Sequence, residues 1–128
     1  MLLLNPYTTR IYTVKALEPK VDPAEPIYLY HAGIPSFLFY WEAPKTNSPT
    51  LLYGIASRDD ENKYHDDLAQ LYKYNSVWVV FSHIWPTKSL INERLYMLDI
   101  LDTNGERMQE ISTAEGTYAY QYHFASNE

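Results

Sequence analysis

The sequence predicts an α/β domain, a three-layer Rossmann-like and mostly parallel sheet with helices on both faces and a C-terminal antiparallel hairpin. Short β-branched and aromatic runs alternate with segments of helical period, the order that right-handed strand–helix–strand crossovers produce. Val77-Trp78-Val79-Val80-Phe81 is apolar at every position, as expected of a central strand covered on both faces. Tyr118, Tyr120, Tyr122 and Phe124 recur at every second position behind Ala114-Glu115-Gly116, which marks a hairpin whose last strand has one covered face.

Each element has its own signal. Residues 6–20 read as a short helix, capped by Thr8 or Thr9, with Ile11, Val14 and Leu17 forming one apolar stripe. Pro19, Pro23 and Pro26 then break the chain into a loop. Ile27-Tyr28-Leu29-Tyr30 is a buried strand, and His31-Ala32-Gly33 a turn. Pro35 sits in the first turn of a helix whose inward face is Ile34, Phe37, Leu38 and Trp41. After a polar loop from Pro44 to Pro49, residues 51–56 read as a second strand. Residues 57–61 open the next helix, with Ser57 or Asp59 as cap and the acidic run on the helix dipole. Tyr64, Leu68, Leu71 and Tyr72 face inward there, and Asn75 suits a left-handed end. Beyond the central strand, a helix capped near Ser89 presents Ile91, Leu95, Leu98 and Leu101 and stops at Gly105. Residues 107–113 and 117–124 form the hairpin.

Composition narrows the function classes. At 128 residues the chain matches one domain, 1–128, large enough to fold without staples. Zero cysteines leave no disulfide framework, no thiolate nucleophile and no cysteine-based zinc site. Ten basic against sixteen acidic side chains give a net charge of −6, which disfavours nucleic acid and anionic membrane surfaces as partners. No apolar run approaches the ~20 residues of a membrane helix. Thirteen tyrosines point first to half-buried sheet and helix surfaces, and second to a contact face for sugars or a neighbouring protein.

In an open α/β sheet, ligands sit outside the carboxyl ends of the strands. Those ends carry Tyr30, His31 and Gly33 on one strand and Ser82 and His83 on another, and these five are the ligand-binding candidates. The two histidines are the best available pair for a general base or for metal ligation, but a third ligand is missing. His65 and His123 fall on polar faces. A dinucleotide fingerprint, a phosphate loop and a nucleophile elbow are all absent from a chain with only four glycines. Asp59-Asp60-Glu61 and Asp66-Asp67 lie on one helix and read as capping and solvated groups, not as a catalytic pair from separate elements. No catalytic residue, metal site or cofactor is assigned.

Two segments carry a resemblance. Pro26-Ile27-Tyr28-Leu29-Tyr30-His31-Ala32-Gly33-Ile34-Pro35-Ser36-Phe37, running on to Tyr40, and Ser76-Val77-Trp78-Val79-Val80-Phe81-Ser82-His83 resemble stretches in the soluble C-terminal domains of bacterial membrane glycosyltransferases. The tail, a helix followed by Gly105-Glu106-Arg107-Met108 and a tyrosine-rich strand, is similar in style. These multi-pass enzymes, similar to protein O-mannosyltransferases and aminoarabinose transferases, move a sugar from a polyprenyl-phosphate carrier at the outer membrane face. The resemblance implies a fragment of a larger membrane protein, an extracytoplasmic (periplasmic) domain tethered by preceding membrane helices. Its partners would be the transmembrane part of the same polypeptide and a sugar or lipid-linked sugar. Acidic catalytic residues of that family precede this domain, so the isolated domain is expected to be non-catalytic and to assist substrate or partner positioning. His31 stands where the family pattern more often has tyrosine. The alternatives are a stand-alone small-molecule-binding or sensor domain, a small enzyme using His31 and His83, and a structural interaction module with an exposed tyrosine face.

Overall fold

The computed structural model describes residues 14–42, 48–58, 60–87, 90–112 and 116–125. After a helical turn over residues 14–17 and a 3-10 turn at Glu18–Lys20, the elements are β1 (Ile27–Leu29), α1 (Ile34–Tyr40), β2 (Leu51–Tyr53), α2 (Lys63–Ala69), β3 (Ser76–Phe81), α3 (Glu93–Asn104), β4 (Glu106–Ser112) and β5 (Tyr118–His123). They build an open five-stranded mixed sheet in the order β2-β1-β3-β5-β4. β1 pairs in parallel with β2 and β3, while β5 pairs antiparallel with β3 and β4. The expected terminal hairpin is therefore present, but the parallel pairing only in part: two strand pairings are parallel and two antiparallel, so the sheet is mixed and not mostly parallel, because β5 folds back beside β3. The last strand inserts beside β3 and leaves β4 at the edge.

The uniform hydrophobicity of β3 resolves into two faces. Val77, Val79 and Phe81 join Tyr28, Tyr30, Tyr120 and Tyr122 in a core with Tyr64, Leu68, Met97 and Leu101 of α2 and α3. Trp78 and Val80 join Ile27, Leu29 and Ala119 on the other side, with Val14, Leu17 and Phe37. The alternating tyrosines pack under α3, so their face is core and not an exposed contact surface.

Several expectations are corrected in detail. The start of the first helix, including Ile11, lies outside the described residues, but Val14 and Leu17 are buried as its stripe requires. Leu38 is 46% exposed, because a seven-residue helix anchored by Phe37 leaves the i+4 position at the edge of its buried stripe. Residues 57–58 and 60–61 are not helical, and Asp59, the other expected cap, lies outside the described residues. Ser57 Oγ donates to Asp60 O, and α2 begins only at Lys63 behind Asn62. Asn75 does not adopt a positive φ, since a 3-10 turn at Gln70–Lys73 unwinds the helix before it. α3 is capped by Asn92, whose Oδ1 accepts the Leu95 N–H at 3.1 Å, and Ser89 lies outside the described residues. Leu95 points outward, while Glu93, Met97, Ile100 and Leu101 are buried. Gly105 ends α3 with extended backbone. A side chain there would meet the Phe124 ring at 2.5 Å, so close packing demands the glycine and not a left-handed turn. Among the described residues no helix is long and apolar enough to cross a membrane.

Candidate functional site

β1 and β3 are adjacent and parallel, yet the segment after β1 packs on one face through Phe37 of α1 and the segment after β3 returns on the other through α3. Such a reversal opens a crevice at the carboxyl ends of the two strands. Tyr30 extends the ladder by donating its N–H to Val80 O at 2.9 Å, and Gly33 N–H closes a turn on Tyr30 O. Gly33 is required by packing: an added Cβ would lie 2.4 Å from Ser82 Oγ. Ser82 and Gly33 thus form the floor between the two strand ends, and both are buried.

Glu93 is the centre of what lies above that floor. It is the first residue of α3, and its side chain is fully buried. Tyr30 Oη donates to its Oε1 at 2.6 Å, Arg58 Nε approaches the same oxygen at 3.5 Å, and His31 Nε2 lies 3.6 Å away, a close electrostatic contact and not a hydrogen bond. Tyr64 Oη accepts the Ser57 N–H at 3.1 Å. Burial, followed by contact with Glu93, raises the Tyr30 and Tyr64 hydroxyls far above the ordinary tyrosine range, so both stay protonated and neutral. Burial lowers His31, with Glu93 opposing and Arg58 adding to it, and the net shift is downward. Glu93 Oε2 and His31 Nε2 have no hydrogen-bond partner among the described residues.

Arg58 ties this network to the following loop. Its guanidinium reaches the carbonyl oxygens of Trp85 and Pro86, the latter at 2.9 Å. In that loop His83 and Leu90 hold positive φ values of 57° and 60°. Non-glycine residues in this region are strained by roughly 1 kcal/mol or more and concentrate at functional loops. Next to it opens a cleft of about 270 Å³ lined by His83, Trp85, Asn92, Arg94 and Tyr118 among others. Arg94 is fixed in place: its guanidinium lies 3.9 Å over the Tyr118 ring and donates to Tyr120 Oη at 2.8 Å.

The five candidates from the sequence all fall at this end of the sheet, but they separate. Tyr30 and His31 enter the buried Glu93 network, Gly33 and Ser82 form the floor, and His83 lines the open cleft. Glu93, Arg58, Tyr64 and Arg94 escaped sequence reasoning. A glutamate at the first turn of a helix reads as a solvated dipole partner, and an isolated arginine in a loop carries no spacing signal. The acidic residues 66–67 are not simply solvated, because Asp67 accepts the Tyr28 hydroxyl and the Ile55 N–H. Among the described residues no group of three metal-ligating side chains converges.

Comparison of the chain with family models, with curated proteins and with solved structures finds no match.

Proposed function

We propose that this chain is an accessory extracytoplasmic domain of a membrane-embedded glycosyltransferase that uses a polyprenyl-phosphate-linked sugar donor. In this reading it positions substrate or partner, performs no chemistry, and needs no cofactor. The observation that carries the non-catalytic part is the division of the strand-end residues. The ionisable groups with perturbed environments, Tyr30, His31 and Tyr64, are locked around a buried carboxylate, whereas the open cleft beside them offers a fixed arginine, an exposed tryptophan and amide donors. That is binding geometry, with no nucleophile–base pair poised toward an open position among the described residues. The membrane-enzyme part rests on the resemblance of residues 26–40 and 76–83. It implies a domain held at the periplasmic face by preceding membrane helices, facing the transmembrane part of its own polypeptide and a sugar or lipid-linked sugar. In fold terms we read a three-layer Rossmann-like arrangement, supported by the two core clusters on opposite sheet faces.

A second reading, a stand-alone small-molecule-binding or sensor domain, is favoured by the position of the cleft at the strand reversal. Reading the genomic DNA in frame ahead of Met1 decides between them. Several apolar segments of ~20 residues are expected if the chain belongs to a membrane enzyme. A stop codon and a ribosome-binding site immediately upstream would overturn that reading and leave the stand-alone one.

A further inference from the structure

We infer that the cleft between His83 and Arg94 binds a single pyranose ring that carries an anionic group, a carboxylate or a phosphate, with the ring on Trp85 and the anion on the Arg94 guanidinium. The inference rests on reading the cleft as a binding site, and it adds the class of ligand.

Size comes first. At about 270 Å³ the cleft lies just below the ~300–1,000 Å³ of ligand sites in general, and so suits one ring and not a chain of sugars. Charge comes second. Although the chain carries a net charge of −6, no Asp or Glu lines this cleft among the described residues, while Arg94 and His83 both do. The carboxylate next to Arg94 in the chain, Glu93, is turned into the buried network with Tyr30 and Arg58. The third consideration is preorganisation. Stacking on Tyr118 and the bond from Nη1 to Tyr120 Oη hold the Arg94 fork, and among the described residues Nε and Nη2 are left as the planar donor pair that matches a carboxylate or phosphate edge. Asn92, its amide oxygen engaged by the Leu95 N–H, has NH₂ donors left for sugar hydroxyls.

Trp85 completes the set. It is 69% exposed and lines the cleft, so its indole is open to a ligand ring. The negative face of an indole attracts the polarised C–H groups on one side of a pyranose. Its backbone carbonyl is held by Arg58 and its loop is fixed in strained conformations at His83 and Leu90, so the ring is displayed from a constrained loop.

The test is a chemical-shift titration of the ¹⁵N-labelled 128-residue chain with four probes: methyl glucuronide, glucose 1-phosphate, methyl glucoside and inorganic phosphate. Saturable shifts at Trp85, Asn92 and Arg94 are expected with at least one of the two anionic sugars, and which of them binds more tightly separates the carboxylate from the phosphate source. The neutral glucoside is expected to bind at least about 10-fold more weakly, since charge-assisted hydrogen bonds are worth ~1.5–3 kcal/mol. Arg94→Lys, which keeps the charge and loses the fork, is expected to weaken the anionic sugar. Because Arg94 also braces Tyr118, Trp85→Ala is the companion variant: its side chain is exposed, so the fold should survive while affinity falls about 5-fold or more. Equal binding of neutral and anionic sugars would overturn the inference, as would silence with all four probes. So would inorganic phosphate binding as tightly as the sugars with Trp85→Ala indifferent. None of these results depends on what precedes Met1, so the ligand class and the parent enzyme fail or stand separately.

Discussion

Removing the cation that faces buried Glu93 should be among the most damaging single changes at the strand ends. Arg58→Met keeps the aliphatic stem and deletes a guanidinium that lies 3.5 Å from Glu93 Oε1 and reaches the carbonyls of Trp85 and Pro86. Breaking a buried ion pair from one side costs about 3–5 kcal/mol. Here the arginine side chain is 32% exposed and Glu93 is 0% exposed. Solvent therefore screens part of the attraction, and the Tyr30 hydroxyl still serves the carboxylate after the change. The low end, about 2–3 kcal/mol, is the expected loss, roughly 5–10 °C in melting temperature for a chain of this size. Glu93→Gln should cost less, about 1–2 kcal/mol, because the amide oxygen can still accept from Tyr30 and the partly exposed arginine can turn to water. The double variant should be about 1–2 kcal/mol better than the sum of the two, the coupling expected of a direct pair. Urea unfolding followed by circular dichroism at pH 7 measures all four corners of the cycle. An Arg58→Met loss below about 0.5 kcal/mol, or strict additivity, would refute the view that this pair organises the strand ends.

Three further outcomes follow from the packing and the charges. Gly33→Ala places a Cβ 2.4 Å from Ser82 Oγ and 3.3 Å from its backbone nitrogen, so a loss of about 2 kcal/mol is expected, with Ser82→Ala restoring part of it in the double variant; thermal melts read both. Gly105→Ala drives a methyl into the Phe124 ring at 2.5 Å and should cost about 1–3 kcal/mol, seen as a lower urea midpoint with unchanged slope. Stability should fall in acid in two windows. Burial holds His31 below its ordinary 6.5, so the unfolded chain binds a proton that the folded one refuses, and stability begins to drop as pH falls below that value. Burial raises Glu25, but hydrogen bonds from Ser76, the Asp22 N–H, Gln121 and Trp78 outweigh it and leave the carboxyl below its usual 4.5. Its contribution is whole above that pH and is lost as pH falls through the depressed value. In unfolding curves recorded from pH 7 to 3, His31→Gln should flatten the first window and Glu25→Gln the second. An unchanged profile in either variant would remove that residue from the account.

The sequence by itself determined the parts of this protein whose signals are local. Strand and helix order, the central burial of Val77 to Phe81 and the inward tyrosines of the last strand follow from period and composition, because burial of one face imposes that period on the chain. It also placed Tyr30, His31, Gly33, Ser82 and His83 at one end of the sheet, since that end follows from strand direction. Only the tertiary structure decided what those residues do. Strand order is set by long-range pairing, which no window of sequence contains, and it put β5 between β3 and β4. Glu93 is polar by type and lies on a helix's first turn, so sequence places it in water. It is buried because the residue after β1, the loop after β2, and α2 converge on it from residues 30, 58 and 64. Arg94 likewise became a fixed donor only when Tyr118 and Tyr120, some 25 residues later in the chain, came to lie beneath it. Amphipathic period is written in neighbours along the chain, whereas a polar site is assembled from residues that meet only after the sheet has formed.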